Sequence, residues 1–117
     1  MKVNRVFPDI AVDDLDAARE FYAGFLGLSN EEFNLGWVAR FTSLDTGASV
    51  QVLTDDETGQ TNPVASALVE DVDAAFAEAQ EQGIEIVHPL THEVWGVRRF
   101  FVRAPDGNVF NIVAHPE

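Results

Sequence analysis

The chain is 117 residues long, room for one domain, with 46% hydrophobic residues and nine phenylalanines to fill a core. Twenty acidic residues against seven basic ones give a net charge of −13, a field that repels phosphate and argues against nucleic acid or an anionic membrane as partner. Without cysteine there is no disulfide frame, no thiolate nucleophile and no cysteine-based metal site.

No apolar run approaches the ~18 residues of a membrane span, and no signal-peptide core leads the chain, so the expected location is cytoplasmic. A strand-like segment runs through Phe7 and Ile10 to Ala11-Val12-Asp13-Asp14-Leu15-Asp16-Ala17-Ala18, where Asp14 is placed to cap a helix. Leu15, Ala18, Tyr22 and Phe25 form an apolar stripe at helical spacing, and Gly27 stops the helix. Strand-like stretches follow near Phe41 and Val50, with Gly47 in a tight turn before the second. The polar stretch 55–63, with Gly59 and Pro63, joins the first half to the second.

The second half repeats the first. Leu68-Val69-Glu70-Asp71-Val72-Asp73-Ala74-Ala75 matches the earlier segment at five of eight positions, 57 residues further on. Asp71 is again a cap, Val72, Ala75, Phe76 and Ala79 again a stripe, and Gly83 again a stop. The stretch 46–52 returns as 106–112, a shift of 60, with Gly107 in the place of Gly47. Each half therefore reads as strand, helix and about three strands, over 1–58 and 62–117. Neither buries much alone, so the expected fold is a single α+β domain of two βαβββ units.

Other constellations carry little chemistry. His88 and His92 stand four apart beside Glu93, but Pro89 makes the stretch extended, and loop histidines are expected in place of a metal pair. Ser43, Ser49 and Ser66 lack a nucleophile elbow. Arg98, Arg103 and His115 read as surface residues.

The repeated strand, acidic pair and helix, the Phe21-Tyr22…Phe25-Leu26-Gly27-Leu28 stretch and Pro105-Asp106-Gly107-Asn108 resemble the vicinal oxygen chelate superfamily. It includes glyoxalase I, extradiol dioxygenases, fosfomycin-modifying enzymes and bleomycin resistance proteins. Val94-Trp95-Gly96…Phe100 before that turn looks most like the bleomycin-resistance branch, although Ala104 stands where the family has Asp. The resemblance implies a glyoxalase-like half-open barrel completed in a homodimer, formed within one chain or by exchange between two. Its metal-ligand quartet maps onto Phe7, Gln51, Val64 and Asn111. Two hydrocarbons and two neutral amides are a poor set for a divalent ion, so neither metal nor other cofactor is expected.

Strand alternation then sorts the faces. With Phe7 and Asn111 inward, Asp9, Gln51 and Ser66 are inward too, while Val6, Ile10, Val50, Val52, Phe110 and Ile112 pack under the helices. The resemblance adds Phe101 and, by alternation, Arg99 and Trp95; the shift of 60 places Trp37, Ala39 and Phe41 on the matching face. The expected groove has walls of Phe7, Trp37, Phe41, Trp95 and Phe101 and polar points at Asp9, Gln51, Ser66, Arg99 and Asn111. A closed core filled by the same aromatics is the alternative. Asp9 is the candidate to anchor a cation or take a proton, against a structural carboxylate paired with Arg99.

Three functions follow. The first is a metal-free small-molecule binding protein for a partly aromatic ligand, a cation being favoured by the negative field. The second is a lyase, isomerase or dioxygenase using a displaced metal or Asp9 as acid and base. The third is a regulatory or structural module.

Overall fold

Aspartate caps both helices. Asp14 accepts from the backbone N–H groups of Asp16 and Ala17, and Asp71 from that of Ala74, satisfying donors that a first helical turn leaves unpaired. The computed structural model describes residues 1–115, so the last two positions of the expected second unit lie outside the described residues. In chain order the elements are β1 (Val3–Ala11), α1 (Leu15–Arg19) continuing as a π-helical turn (Glu20–Phe25), β2 (Asn30–Asn34), β3 (Val38–Thr42) and β4 (Ser49–Leu53). Then come β5 (Ala65–Val69), α2 (Val72–Glu81), β6 (Glu85–His92), β7 (Arg98–Arg103) and β8 (Val109–Ala114). The chain is α+β, and each half has the order βαβββ. No helix is long and apolar enough to cross a membrane.

Two compact units result, Phe7–Asn62 and Met1–Val6 with the chain from Pro63 onward. In the first unit the strands lie in the order β2–β3–β4–β1, with β1 parallel to β4 and the other pairs antiparallel. In the second the order is β5–β8–β7–β6, with β5 parallel to β8. One helix covers one face of each sheet. Under α1, Ala18 meets Ala39, Phe41, Val50 and Val52, with Ile10, Leu15 and Tyr22 packed around them. Under α2, Val72, Ala75 and Ala79 meet Ala67, Phe100 and Ile112, with Phe76 and Phe110 against them.

The first stripe ends sooner than its spacing predicts. The N–H of Leu26 bonds the carbonyl of Phe21, five residues back, so the last turn is wider than an α-helical one and the phase rotates. Tyr22 keeps its place on the core, but Phe25 swings out, 78% exposed and stacked on Phe21. Val6 is a second correction. The core under α1 takes Ile10 and Val12, near the far end of β1, and Val6 stays 63% exposed.

The joint between the halves is also more ordered than its polarity suggests. Asp56 is buried and accepts from the N–H groups of Thr58 and Gly59, while its own N–H reaches the side chain of Asn62. Gly107 turns the chain between β7 and β8 at φ +94, and an added Cβ would meet nothing within 4 Å. Gly107→Ala should therefore cost only the backbone term, about 1 kcal/mol by urea denaturation.

Arg98 on β7 holds Asp73 at 2.7 Å and Arg19 holds Glu31 at 2.6 Å, and these guanidinium contacts hold both carboxyls below the usual carboxylate range. A depressed carboxylate stabilises the fold above its unfolded pKa, and that contribution disappears as the pH falls through the folded value. Arg98→Gln should move the Asp73 carboxyl titration upward, read by carbonyl NMR, with little change in stability at neutral pH because the pair is solvent-exposed.

Candidate functional site

The sheet face opposite each helix carries the polar residues. In the first unit the register aligns Phe33, Arg40, Gln51 and Asp9 as successive cross-strand partners over β2, β3, β4 and β1. Partners directly opposite share a face, so these side chains form one row. Arg40 is buried and donates through Nε and Nη2 to Gln51 Oε1 at 3.2 and 3.1 Å. Gln51 Nε2 passes the chain on to Asp9 Oδ1 at 3.0 Å. The guanidinium also lies over Phe7 at 4.2 Å and over Phe33 at 4.7 Å, and Glu32 sits 3.4 Å from Nη1. A buried cation thus meets carboxylate, amide and two ring faces, the surroundings its burial requires.

The expected inward positions Phe7, Asp9 and Gln51 are on this face, and all three are buried. Phe41 is not. It belongs to the core under α1, and Arg40 holds the inward position. The reason is one residue of loop: Thr42 pairs with Ser49 across residues 43–48, whereas Arg103 pairs with Val109 across 104–108. The shift of 60 that relates Gln51 to Asn111 therefore becomes 61 on the preceding strand, where Arg40 corresponds to Phe101. A slip of one residue exchanges the faces of a strand. Ala39 moves to the helix side with Phe41, and Trp37 falls outside β3, half-buried in the bend before it.

In the second unit the corresponding row is Ser66, Asn111, Phe101 and His88 over β5, β8, β7 and β6. Ser66, Asn111 and Phe101 are buried, and Asn111 Nδ2 donates to Ser66 Oγ at 3.0 Å. Asn111 Oδ1 is buried and, among the described residues, meets no hydrogen-bond donor. Beside the row, Arg99 donates through Nε to Glu93 Oε2 at 2.6 Å, and the same oxygen lies 3.0 Å from His88 Nε2. Arg99 also lies over Phe101 at 4.7 Å and over Trp95 at 5.0 Å.

Trp95 gets there from a turn. The N–H of Glu93 bonds the carbonyl of Val97 and the N–H of Gly96 that of Glu93, which folds Trp95 back toward the start of β7. The histidines are strand residues in place of the expected loop residues. His88 pairs with Phe101 and His92 with Arg98, so they lie on opposite faces and chelate nothing together. His92 lines a separate surface hollow of about 380 Å³ with Asp71, Asp73 and Arg98.

The sequence reading missed Arg40, His88 and Glu93. A charged residue in a strand reads as outward by default, and the signal that would have found Arg40 was the loop count. Glu93 stood beside a histidine already assigned to a loop.

The family's quartet is now placed. Phe7 is hydrocarbon, Val64 is hydrocarbon and half-exposed before β5, and Gln51 Oε1 faces the Arg40 guanidinium. No group of three or more His, Asp or Glu that could hold a metal occurs among the described residues.

A family model of the glyoxalase/bleomycin resistance protein/dioxygenase superfamily matches residues 2–112. The chain belongs to that superfamily. Solved structures agree on the fold. A Legionella pneumophila protein called an NAD-dependent benzaldehyde dehydrogenase superposes with a TM-score of 0.78 at 20% identity, over 96% of this chain and 100% of that one. Methylmalonyl-CoA epimerase from Mycobacterium tuberculosis gives 0.72 at 25% identity, over 98% and 90%. A superfamily member from Vibrio splendidus gives 0.64 at 21%, over 94% and 97%. Among curated proteins there is no match. None of these comparisons selects the bleomycin-resistance branch within the superfamily.

Proposed function

We propose that this superfamily member is a metal-free small-molecule binding protein of the bleomycin-resistance type. It takes a partly aromatic ligand whose N–H or O–H groups meet the polar sheet face of the second unit. The observation that carries this reading is Asn111 Oδ1, a buried acceptor without a donor among the described residues. Leaving such a group unsatisfied costs roughly 1–3 kcal/mol, and a ligand that donates to it recovers that amount on binding. Trp95, only partly buried beyond Arg99, supplies an aromatic face for the body of the ligand. A net charge of −13 concentrates cations around the protein, so aromatic amines and amidinium ions are the preferred class.

Metal chemistry at the family's positions does not fit these residues. Asn111 offers one neutral oxygen, Gln51 gives its oxygen to a guanidinium, and Phe7 and Val64 offer nothing. Asp9 accepts from Gln51 at the end of the Arg40 chain, which favours a structural task over acid–base work. The assembly we propose is a homodimer, as the superfamily resemblance implies; light scattering at micromolar concentration should give twice the chain mass.

Native mass spectrometry of untagged protein, with elemental analysis of the same sample, tests the binding reading. It should give a metal-free protein that takes up members of a panel of planar cationic aromatics. A stoichiometric divalent metal would instead favour the lyase, isomerase or dioxygenase alternative, the class to which the epimerase among the structural neighbours belongs.

A further inference from the structure

The π-helical turn leaves an aromatic face in solvent. Phe25 is 78% exposed, Phe21 49% and Leu26 48%, and the two phenylalanine rings stack with their centroids 5.5 Å apart. Tyr22 meets Phe21 edge-on at 5.0 Å and itself packs on the core under α1, so the outer rings rest on a fixed support. A single exposed apolar residue is ordinary, but contiguous ones on one element mark a surface that another molecule covers. Helical spacing sets Ala17, Phe21 and Phe25 in one row and Asp16, Glu20 and Gly24 in the row beside it, and all six are exposed. At Gly24 an added Cβ would meet nothing within 4 Å, so an incoming side chain can lie against the helix backbone beside Phe25.

The charge around this face is acidic. Asp13, Asp14, Asp16 and Glu20 stand together, and Arg19 is the one basic residue in 13–26. Arg19 is engaged by Glu31 at 2.6 Å and by Asp16 at 2.8 Å. The carboxylates of Asp13 and Glu20 have no hydrogen-bond or ion-pair partner among the described residues. A second copy of the chain is a poor match for such a face. Of its seven basic residues, Arg40 and Arg99 are buried and Arg19, Arg98 and Arg103 are held by carboxylates, which leaves Lys2 and Arg5 near the N-terminus. Two copies meeting through this face about a two-fold axis would also set Asp16 and Glu20 against their own images. Charge complementarity calls for a different molecule, one that carries basic and apolar side chains together.

We propose that the outer face of α1 and its π-helical turn is a docking surface for a basic amphipathic segment of another protein. Apolar side chains of that segment pack on Phe21, Phe25 and Leu26, while its arginines or lysines pair with Asp16 and Glu20 or lie over the ring face of Phe25. Both properties are needed. A segment without apolar side chains leaves the rings wet, and one without basic side chains takes water from carboxylates and returns nothing. None of these residues belongs to the small-molecule reading, so the proposal stands or falls independently of it.

The probe is a synthetic helical peptide with leucines and arginines on one face, and its control has the same composition with the leucines scattered around the helix. Titration into the isotope-labelled full chain should move the Phe21 and Phe25 ring signals and the Gly24 amide, and calorimetry should show the control binding at least about tenfold more weakly. Raising the salt from about 50 mM to about 0.5 M should weaken binding several-fold. Phe25→Ser and Glu20→Arg change exposed positions and should keep the thermal midpoint of the unmodified chain. The first should bind the probe at least about tenfold more weakly and the second at least about threefold. In case a variant folds poorly, the shift map of the unmodified chain decides. A probe that does not bind, a shift map on another face, a control peptide that binds as tightly, or folded variants that bind normally overturns the proposal. A dimer of the protein alone that Phe25→Ser dissociates, read by sedimentation velocity, would mean that a second copy covers this face and overturns it too.

Discussion

Glu93→Ala is expected to lower stability by about 3–5 kcal/mol, because it strips a buried guanidinium of the carboxylate 2.6 Å from its Nε. Arg99 and Glu93 are each 4% exposed, so water does not replace the lost partner without opening the turn at 93–97. His88 loses its anchor in the same step. Urea denaturation measures the change, and a control separates pairing from packing. Replacing both members, Glu93→Leu with Arg99→Met, removes the charge together with its counter-charge and should cost less than Glu93→Ala alone. A double variant less stable than the single one would mean that the pair is held by something other than mutual compensation.

Phe100→Ala should cost a similar amount, about 3–5 kcal/mol, through loss of burial and an unfilled cavity. Phe100 is 1% exposed at the centre of the core under α2, with its ring edge-on to Phe76 at 5.1 Å. Phe76→Leu alone should cost less, since Phe76 sits at the rim of that cluster. The two changes should be non-additive, because each ring is part of the other's wall. The same truncation at Phe25, 78% exposed on the π-helical turn, should leave stability nearly unchanged although both residues are phenylalanine.

The contrast between Phe100 and Phe25 shows where sequence carries structure and where it does not. Asp14, Asp71, Gly27, Gly83, Gly47 and Gly107 act through local backbone chemistry, and all six do what their residue type predicts. The buried positions Phe7, Asp9, Gln51, Ser66 and Asn111 were equally legible from alternation, which on β4, β5 and β8 sets them between apolar residues that face a helix, while on β1 Ile10 follows that rule and Val6 does not. Face assignment on β3 depended on counting through a loop. Residues 43–48 and 104–108 differ by one in length, and that one residue exchanged Phe41 for Arg40. Phe25 failed for a related reason, because a π-helical hydrogen bond adds one residue to a turn and no residue-type preference announces it.

The pair Glu93–Arg99 lay beyond any local rule. It is made by a turn that brings a residue after β6 onto the second residue of β7, and it gives the inward Arg99 a carboxylate that strand alternation could not name. The negative charge of the chain changes meaning accordingly. At the two inward faces the buried acids Asp9 and Glu93 sit with the buried arginines Arg40 and Arg99, one of each in each unit. Most of the remaining acids lie outside these faces, where in the proposed binding function they would contribute a long-range field.

The most direct test of the central claim is a calorimetric titration of chelator-treated protein with planar aromatic cations, carried out on the unmodified chain and on Asn111→Leu. Binding that survives the chelator and falls at least about tenfold in Asn111→Leu is the predicted result, as loss of one ligand-facing hydrogen bond to a charged donor implies. Binding that appears only when a divalent ion is restored, or that is as tight in Asn111→Leu as in the unmodified chain, would contradict it.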